Sequence, residues 1–251
     1  MKNVELKRDL ELAYSKFYDQ DPTRCRYENS CGAGLPPKQL KCYKARVGEC
    51  YEKEKLKILF VGREPVCSNE CDREFLIEPP CSLKEANNFH WVRTFYTAAN
   101  LLLESSDLPK DYSKETMCNP KYEELKNRFA FTNYYKCVFS ENNKNSGKKV
   151  SRAMHENCCR ILCEEIKVLK PNLVVFQGKY TWKGIEYKEI KEICAEQGEK
   201  RYCQGLYECR IGDFSFHALE TYHPTSHGIW TNEAVQKNFK ILLNEAKDRL
   251  K

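Results

Sequence analysis

The sequence predicts an α/β protein: a three-layer α/β/α sandwich around a central, mostly parallel sheet. Three short runs carry most of that expectation. "LKILFVG" (56–62), "RFAFTNYYKC" (128–137) and "NLVVFQG" (172–178) have the length and apolar continuity of strands buried on both faces. The segments between them include helical repeats, and strands alternating with helices point to parallel pairing through crossovers.

The elements follow in order. Val4, Leu6, Leu10, Leu12, Ala13 and Phe17 recur at helical spacing and predict a helix over 4–18. A loop-rich, cysteine-rich stretch occupies about 19–55, and the first buried strand then ends at Gly62. Residues 63–89 are irregular, with prolines and three cysteines. "FHWVRTFYTAANLLLE" (89–104) is an amphipathic helix, followed by a polar segment and the second strand. "SENNKNSGKK" (140–149) is a flexible basic loop. The next helix has Ser151 as its expected N-cap and Pro171 just past its end, where the third strand begins. The charged segment 179–201 is expected to be helical. "YECRIGDFSFHALETYHP" (207–224) holds a hairpin around Gly212 and Asp213, with a strand running into "TYHPT". "NEAVQKNFKILLNEAKDRLK" is the closing helix. No internal repeat or clean linker divides the chain, so 1–251 is expected to be a single domain.

Of the 251 residues 41% are apolar, enough for a core, but no run approaches the ~18 needed to cross a bilayer. The N-terminus is charged and periodic and lacks the apolar centre of a signal peptide. A soluble, cytoplasmic monomer is expected, nucleoid-associated if bacterial or archaeal. The net charge of +6 is a mild lean towards polyanions. Fifteen cysteines, an odd count without an export signal, point away from a disulfide framework. They suggest a metal site, a cluster, or small buried apolar side chains.

Ligands of open α/β sheets bind beyond the carboxyl ends of strands. The functional residues are therefore expected near Gly62, Asn133, Gly178 and His223. Four segments form one ordered constellation there: "KILFVGREP", "FTNYYKC", "CCRILCEEIKVLKPNLVVFQG" and "YHPTS". Together they resemble the uracil-DNA glycosylase superfamily, most closely its iron–sulfur branch. In that branch one strand ends in G-E-x-P-G, a second carries T-N-x-x-K-C, a cysteine opens a helix that runs into a glycine-ended strand, and a late loop carries H-P-S. The match runs from about residue 25 to the C-terminus.

The resemblance implies that Asn133 reads the edge of a flipped base, since a carboxamide offers both a donor and an acceptor. It implies that His223 stabilises charge growing on the departing base. Pro224, Thr225, Ser226 and His227 would lie on the loop entering the minor groove. Cys137 and Cys158 match two ligands of a 4Fe-4S cluster, with Cys159 and Cys163 as alternatives to Cys158. The remaining two are assigned to Cys25 and Cys31, with Cys42 in reserve. Structural zinc is the alternative cofactor.

The first motif departs from the family. Arg63 stands where the family has its acid, Glu64 is one place late, and Val66 replaces a glycine. Glu64 is assigned the water-activating role, with Glu70, Asp72 or the absence of such an acid as alternatives; Gly62 and Arg63 would line the base site. Phe89, in "ANNFHW", could stack on the flipped base. These changes suggest a base other than plain uracil, such as a bulkier modified pyrimidine. Lys144, Lys148, Lys149, Lys179 and Arg152 are candidate phosphate contacts, and Lys136 is expected to reach phosphate or solvent.

The expected function is a monofunctional DNA glycosylase that leaves an abasic site, in base repair or in attack on modified foreign DNA. A non-cleaving module that binds modified bases is the alternative, supported by Arg63. A redox protein with many cysteines ranks last, because it leaves Asn133 and His223 without a role.

Overall fold

The structure is a computed structural model, and it describes residues 2–18, 25–27, 31, 44–62, 83, 89–136, 152–178, 189–195, 205–226 and 230–250. Its main elements are α1 (Lys2–Tyr14), β1 (Arg46–Val47), β2 (Ile58–Gly62), α2 (Phe89–Leu102), α3 (Lys114–Met117), α4 (Pro120–Glu123) and β3 (Ala130–Asn133). There follow α5 (Arg152–Leu169), β4 (Leu173–Gln177), β5 (Glu189–Ala195), β6 (Gly205–Ile211), β7 (Phe214–Thr221) and α6 (Glu233–Arg249).

The seven strands form one sheet in the order β1-β3-β2-β4-β7-β6-β5. Its centre, β3-β2-β4-β7, is parallel. β1 flanks it antiparallel on one side, and β6 and β5 flank it antiparallel on the other. Every residue of β2, β3 and β4 is buried, which is why these strands read as unbroken apolar runs.

Alternation within each strand sorts the core into two layers. Leu59, Val61, Val174 and Phe176 pack with Leu6, Leu10 and Tyr14 of α1 and with Ile161, Leu162 and Ile166 of α5. Ile58, Phe60, Leu173 and Val175 pack with Val92, Phe95 and Tyr96 of α2 and with Phe239, Leu242 and Leu243 of α6. The three-layer expectation is met.

Boundaries follow local chemistry. Asn232 caps α6, its Oδ1 accepting from the amides of Ala234 and Val235 at 3.0 and 3.2 Å. α5 stops where Lys170 takes a left-handed φ of 47° before Pro171. The β6–β7 hairpin turns at Gly212, whose φ of 62° suits glycine.

One expected element is different. Within 179–201, expected to be helical, residues 189–195 form strand β5, paired with β6 and carrying a register shift between Glu192 and Cys194. β5 is the last strand of the sheet. Charged residues are common on edge strands, where they discourage pairing with other chains, and in this sequence they imitate a solvated helix. The expected basic loop, 140–149, lies outside the described residues.

Candidate active site

The carboxyl ends of the four parallel strands present one row of residues. Asn133 is in register with Gly62, Val61 with Phe176, and Gln177 with Thr221, so the row reads Asn133, Gly62, Gln177, Thr221. Two residues earlier in each strand stand Phe131, Phe60, Val175 and Leu219, all in the α2/α6 layer. By alternation the row faces that same layer.

Gly62 makes room for its neighbour. A Cβ built there would lie 2.5 Å from Asn133 Oδ1 and 3.1 Å from Phe131 Cζ. The Asn133 carboxamide therefore leans across the end of β2 into space that any side chain would fill. Asn133 is only 4% exposed.

From Asn133 a run of ring contacts reaches the histidine loop. Phe131 lies 4.8 Å from Trp91 and 6.0 Å from His90, ring centre to ring centre. His90 lies 5.8 Å from His223. The amide and the imidazole, ninety residues apart in sequence, thus stand at one end of the sheet, on one face. Gly178, with φ 113°, closes the other side, where a Cβ would touch His223 at 3.5 Å.

The ring of His223 is set by Thr225. The Thr225 amide donates to Nδ1 at 3.3 Å and its hydroxyl lies 2.7 Å from the same nitrogen. A backbone N–H can only donate, so Nδ1 is an acceptor and the ring proton sits on Nε2. The loop itself is clamped from behind. Trp230 Nε1 donates to the His223 carbonyl at 3.2 Å, and Arg93 Nη1 donates to the Pro224 carbonyl. Arg93 packs over the Trp230 ring at 5.2 Å, and burial lowers its pKa. Pro224 is buried, while Thr225 is exposed and Ser226 partly so.

Sequence reasoning passed over His90, Arg93 and Gln177. Burial, and then the neighbouring His223, depress the His90 imidazole to about 3, so it is uncharged at neutral pH. Its signal lay beside the chosen residue: "FHW" opens α2. Phe89 is the first residue of that helix, and its ring lies outside the described structure. Arg63, Glu64, Glu70, Asp72, Val66, Lys144, Lys148, Lys149, Lys179, His227, Cys42 and Cys137 also lie outside the described residues. Arg152 is exposed at the start of α5 and pairs with Glu156 at 2.7 Å.

Lys136 reaches neither phosphate nor solvent. It is fully buried and bonds Thr132 Oγ1 and Glu165 Oε2. Thr132 also donates to Glu165 at 3.0 Å, and Tyr14 of α1 donates to the other carboxylate oxygen at 2.6 Å. The tyrosine oxygen in turn accepts from the Ala45 amide at 2.6 Å. Burial, with Glu165 next, raises the Tyr14 pKa well above its usual value. This closed network binds the end of β3, which carries Asn133, to α5 and α1. A fully desolvated lysine needs such a partner.

Three of the expected ligand thiols are neighbours in the α1/α5 layer. Cys25 and Cys158 are buried there, and Cys31 is partly buried against the same core layer. Burial pushes the Cys158 thiol up to about 12; the Lys136 amide, which donates to its sulfur at 3.5 Å, pulls it down, and Cys31 and Cys25 add to the rise. Cys31 Sγ also accepts from Asn157 at 3.3 Å. Among the described residues no three His, Cys, Asp or Glu side chains are arranged to hold a metal ion, and no helix is long and apolar enough to cross a membrane.

Taken together, the amide and the imidazole stand at the carboxyl edge of a parallel sheet, the place where open α/β proteins bind ligands. The family model of the uracil DNA glycosylase superfamily matches residues 50–247, and the chain belongs to that superfamily. Members of the superfamily are typically DNA N-glycosylases. No curated protein matches the chain.

Proposed function

We propose that this protein is a DNA glycosylase that flips a uracil-like or modified pyrimidine from DNA and hydrolyses its N-glycosidic bond. One observation carries the reading: Asn133 and His223 share one face at the strand ends, and Thr225 leaves the His223 ring proton on Nε2.

In this reading Asn133 offers its carboxamide to the base edge, held over Gly62. The glycosidic bond breaks with its electron pair going to the base, and Nε2–H of His223 donates to the base carbonyl that gains the charge. The neighbouring His90 is held uncharged at neutral pH, so it places no second cation beside that donor. Water adds its oxygen to C1′ of the sugar and loses a proton, with Glu64 as the assigned base. Flipping costs a few kcal/mol of unstacking, offset by phosphate contacts from basic residues.

The four cysteines Cys25, Cys31, Cys137 and Cys158 would hold a 4Fe-4S cluster, with zinc as the alternative. Three of these thiols are neighbours, and the Lys136 amide on the Cys158 sulfur brings the chain to within one residue of Cys137. Its role would be to fasten the N-terminal segment to α5 and β3, away from the chemistry.

The test is to incubate the protein with duplexes carrying uracil, 5-hydroxymethyluracil or glucosylated cytosine and to assay for abasic sites. Release from at least one, abolished by His223→Ala and by Asn133→Ala, is expected. Binding to modified duplexes without release from any would favour the non-cleaving module, to which Arg63 in place of the family acid already lends support.

A further inference from the structure

We infer that Gln177 is a specificity-determining residue of the base site, and that its side-chain oxygen accepts a hydrogen bond from a donor group on the bound pyrimidine. The inference rests on the glycosylase-like reading of the site and deepens it, by naming the kind of base the pocket favours.

Four observations converge on Gln177. It stands in the strand-end row, one place beyond Gly62 from Asn133, and it faces α2, since its Nε2 donates to Thr94 Oγ1 at 2.8 Å. It is 2% exposed. Its Oε1 is buried without a hydrogen-bond partner among the described residues. A buried, unmatched carbonyl of this kind costs free energy that a native structure normally recovers.

The direction in which that oxygen is presented follows from the hydrogen bonds. The Thr94 hydroxyl donates to the His90 carbonyl at 2.8 Å. Its one proton is thereby committed, and towards Gln177 its oxygen can only accept. The Gln177 NH2 must therefore be the end facing Thr94, and Oε1 must be the other. Rotation of the amide would set two acceptors against each other. His90, Thr94 and Gln177 thus form a relay that leaves one acceptor uncommitted in the strand-end row, where Gln177 follows Asn133 and Gly62.

An acceptor held so firmly recognises a donor. Uracil has a single N–H on its pairing edge, at N3, which the Asn133 carboxamide can match. A second acceptor calls for a second donor, an exocyclic hydroxyl or amine on the pyrimidine. Base sites that leave a buried polar group unmatched reject the analogue lacking its partner.

The experiment is competition binding and single-turnover release on two matched pairs of duplexes. 5-Hydroxymethyluracil against thymine isolates a hydroxyl, and 5-aminomethyluracil against thymine isolates an amine. The wild-type protein is expected to prefer the donor-bearing member of at least one pair by roughly tenfold, the factor that one net hydrogen bond supplies. Gln177→Met keeps the volume and removes the acceptor, and it should bring that ratio close to one. Thr94→Val leaves Gln177 in place but frees its amide to turn, and should lower the same ratio; it carries the test if the Met variant does not fold.

No preference in either pair, or a preference that survives both substitutions, overturns the inference. Gln177 would then be satisfied by a buried water, and its replacement would change stability alone. Because binding is read beside release, the two readings fail separately. A Gln177-dependent preference without any base release removes the hydrolytic reading and leaves this one, whereas release with unaltered selectivity in both variants does the reverse.

Discussion

Gly62 shows how little space separates the observed position of the Asn133 carboxamide from a displaced one. A methyl group there would collide with Asn133 Oδ1, and the amide would have to swing out of the row. Gly62→Ala should slow base release by about 10²-fold, the scale of a misplacement near 1 Å, while the thermal midpoint changes far less than the rate. Thr225 acts on the other partner. Thr225→Val removes a hydroxyl from His223 Nδ1 and should lower single-turnover release by roughly tenfold, about the worth of one hydrogen bond.

His90 makes a pH prediction. Its folded value lies near 3 and its unfolded value near 6.5. Between them the unfolded chain binds a proton that the folded chain does not, so stability rises with pH across that window. The contribution is complete above about 6.5 and is lost as pH falls towards 3. His90→Phe should flatten this acid limb, read as urea midpoints between pH 7 and pH 4; an unaltered slope would sink the assignment.

At the scale of elements, the strand end that carries Asn133 is fastened from below. Lys136, Thr132, Glu165 and Tyr14 join β3, α5 and α1 in one buried network. Lys136→Met leaves the Glu165 carboxylate desolvated and without its cation. It should cost about 3–5 kcal/mol of stability, measured by urea unfolding. Pairing it with Glu165→Met should restore part of the loss, because an apolar pair of similar volume avoids the buried charge. β5 makes a different point about elements. Its residues carry the composition of a solvated helix, and they become a strand because β6 offers an unpaired edge. No property of the segment read alone reports that edge.

The whole molecule divides into a sheet that presents the site and a cysteine-bearing layer behind it. If the cluster reading holds, protein purified without oxygen should be brown, and Cys25→Ser or Cys158→Ser should lower both iron content and thermal midpoint. Zinc in place of iron would leave the solution colourless. Duplex binding should weaken linearly in log–log salt, as phosphate contacts require, from a chain whose net charge is +6. A slope near zero would contradict contact with the DNA backbone.

What the sequence determined by itself was the sandwich and where its central strands end. Burial on both faces writes a continuous apolar run into a strand, and the end of such a run marks a carboxyl edge of the sheet; Gly62 and Asn133 were legible as strand-end residues on those grounds, and His223 as the residue just past one. Only the tertiary structure decided that Lys136 is sealed inside, that His90 stands beside His223, that Arg93 braces the histidine loop, and that Gln177 has one end of its amide committed. Periodicity records whether a side chain is buried, but not which distant side chain meets it. Hydrogen bonds and ion pairs between segments far apart in the chain therefore leave no pattern in either one.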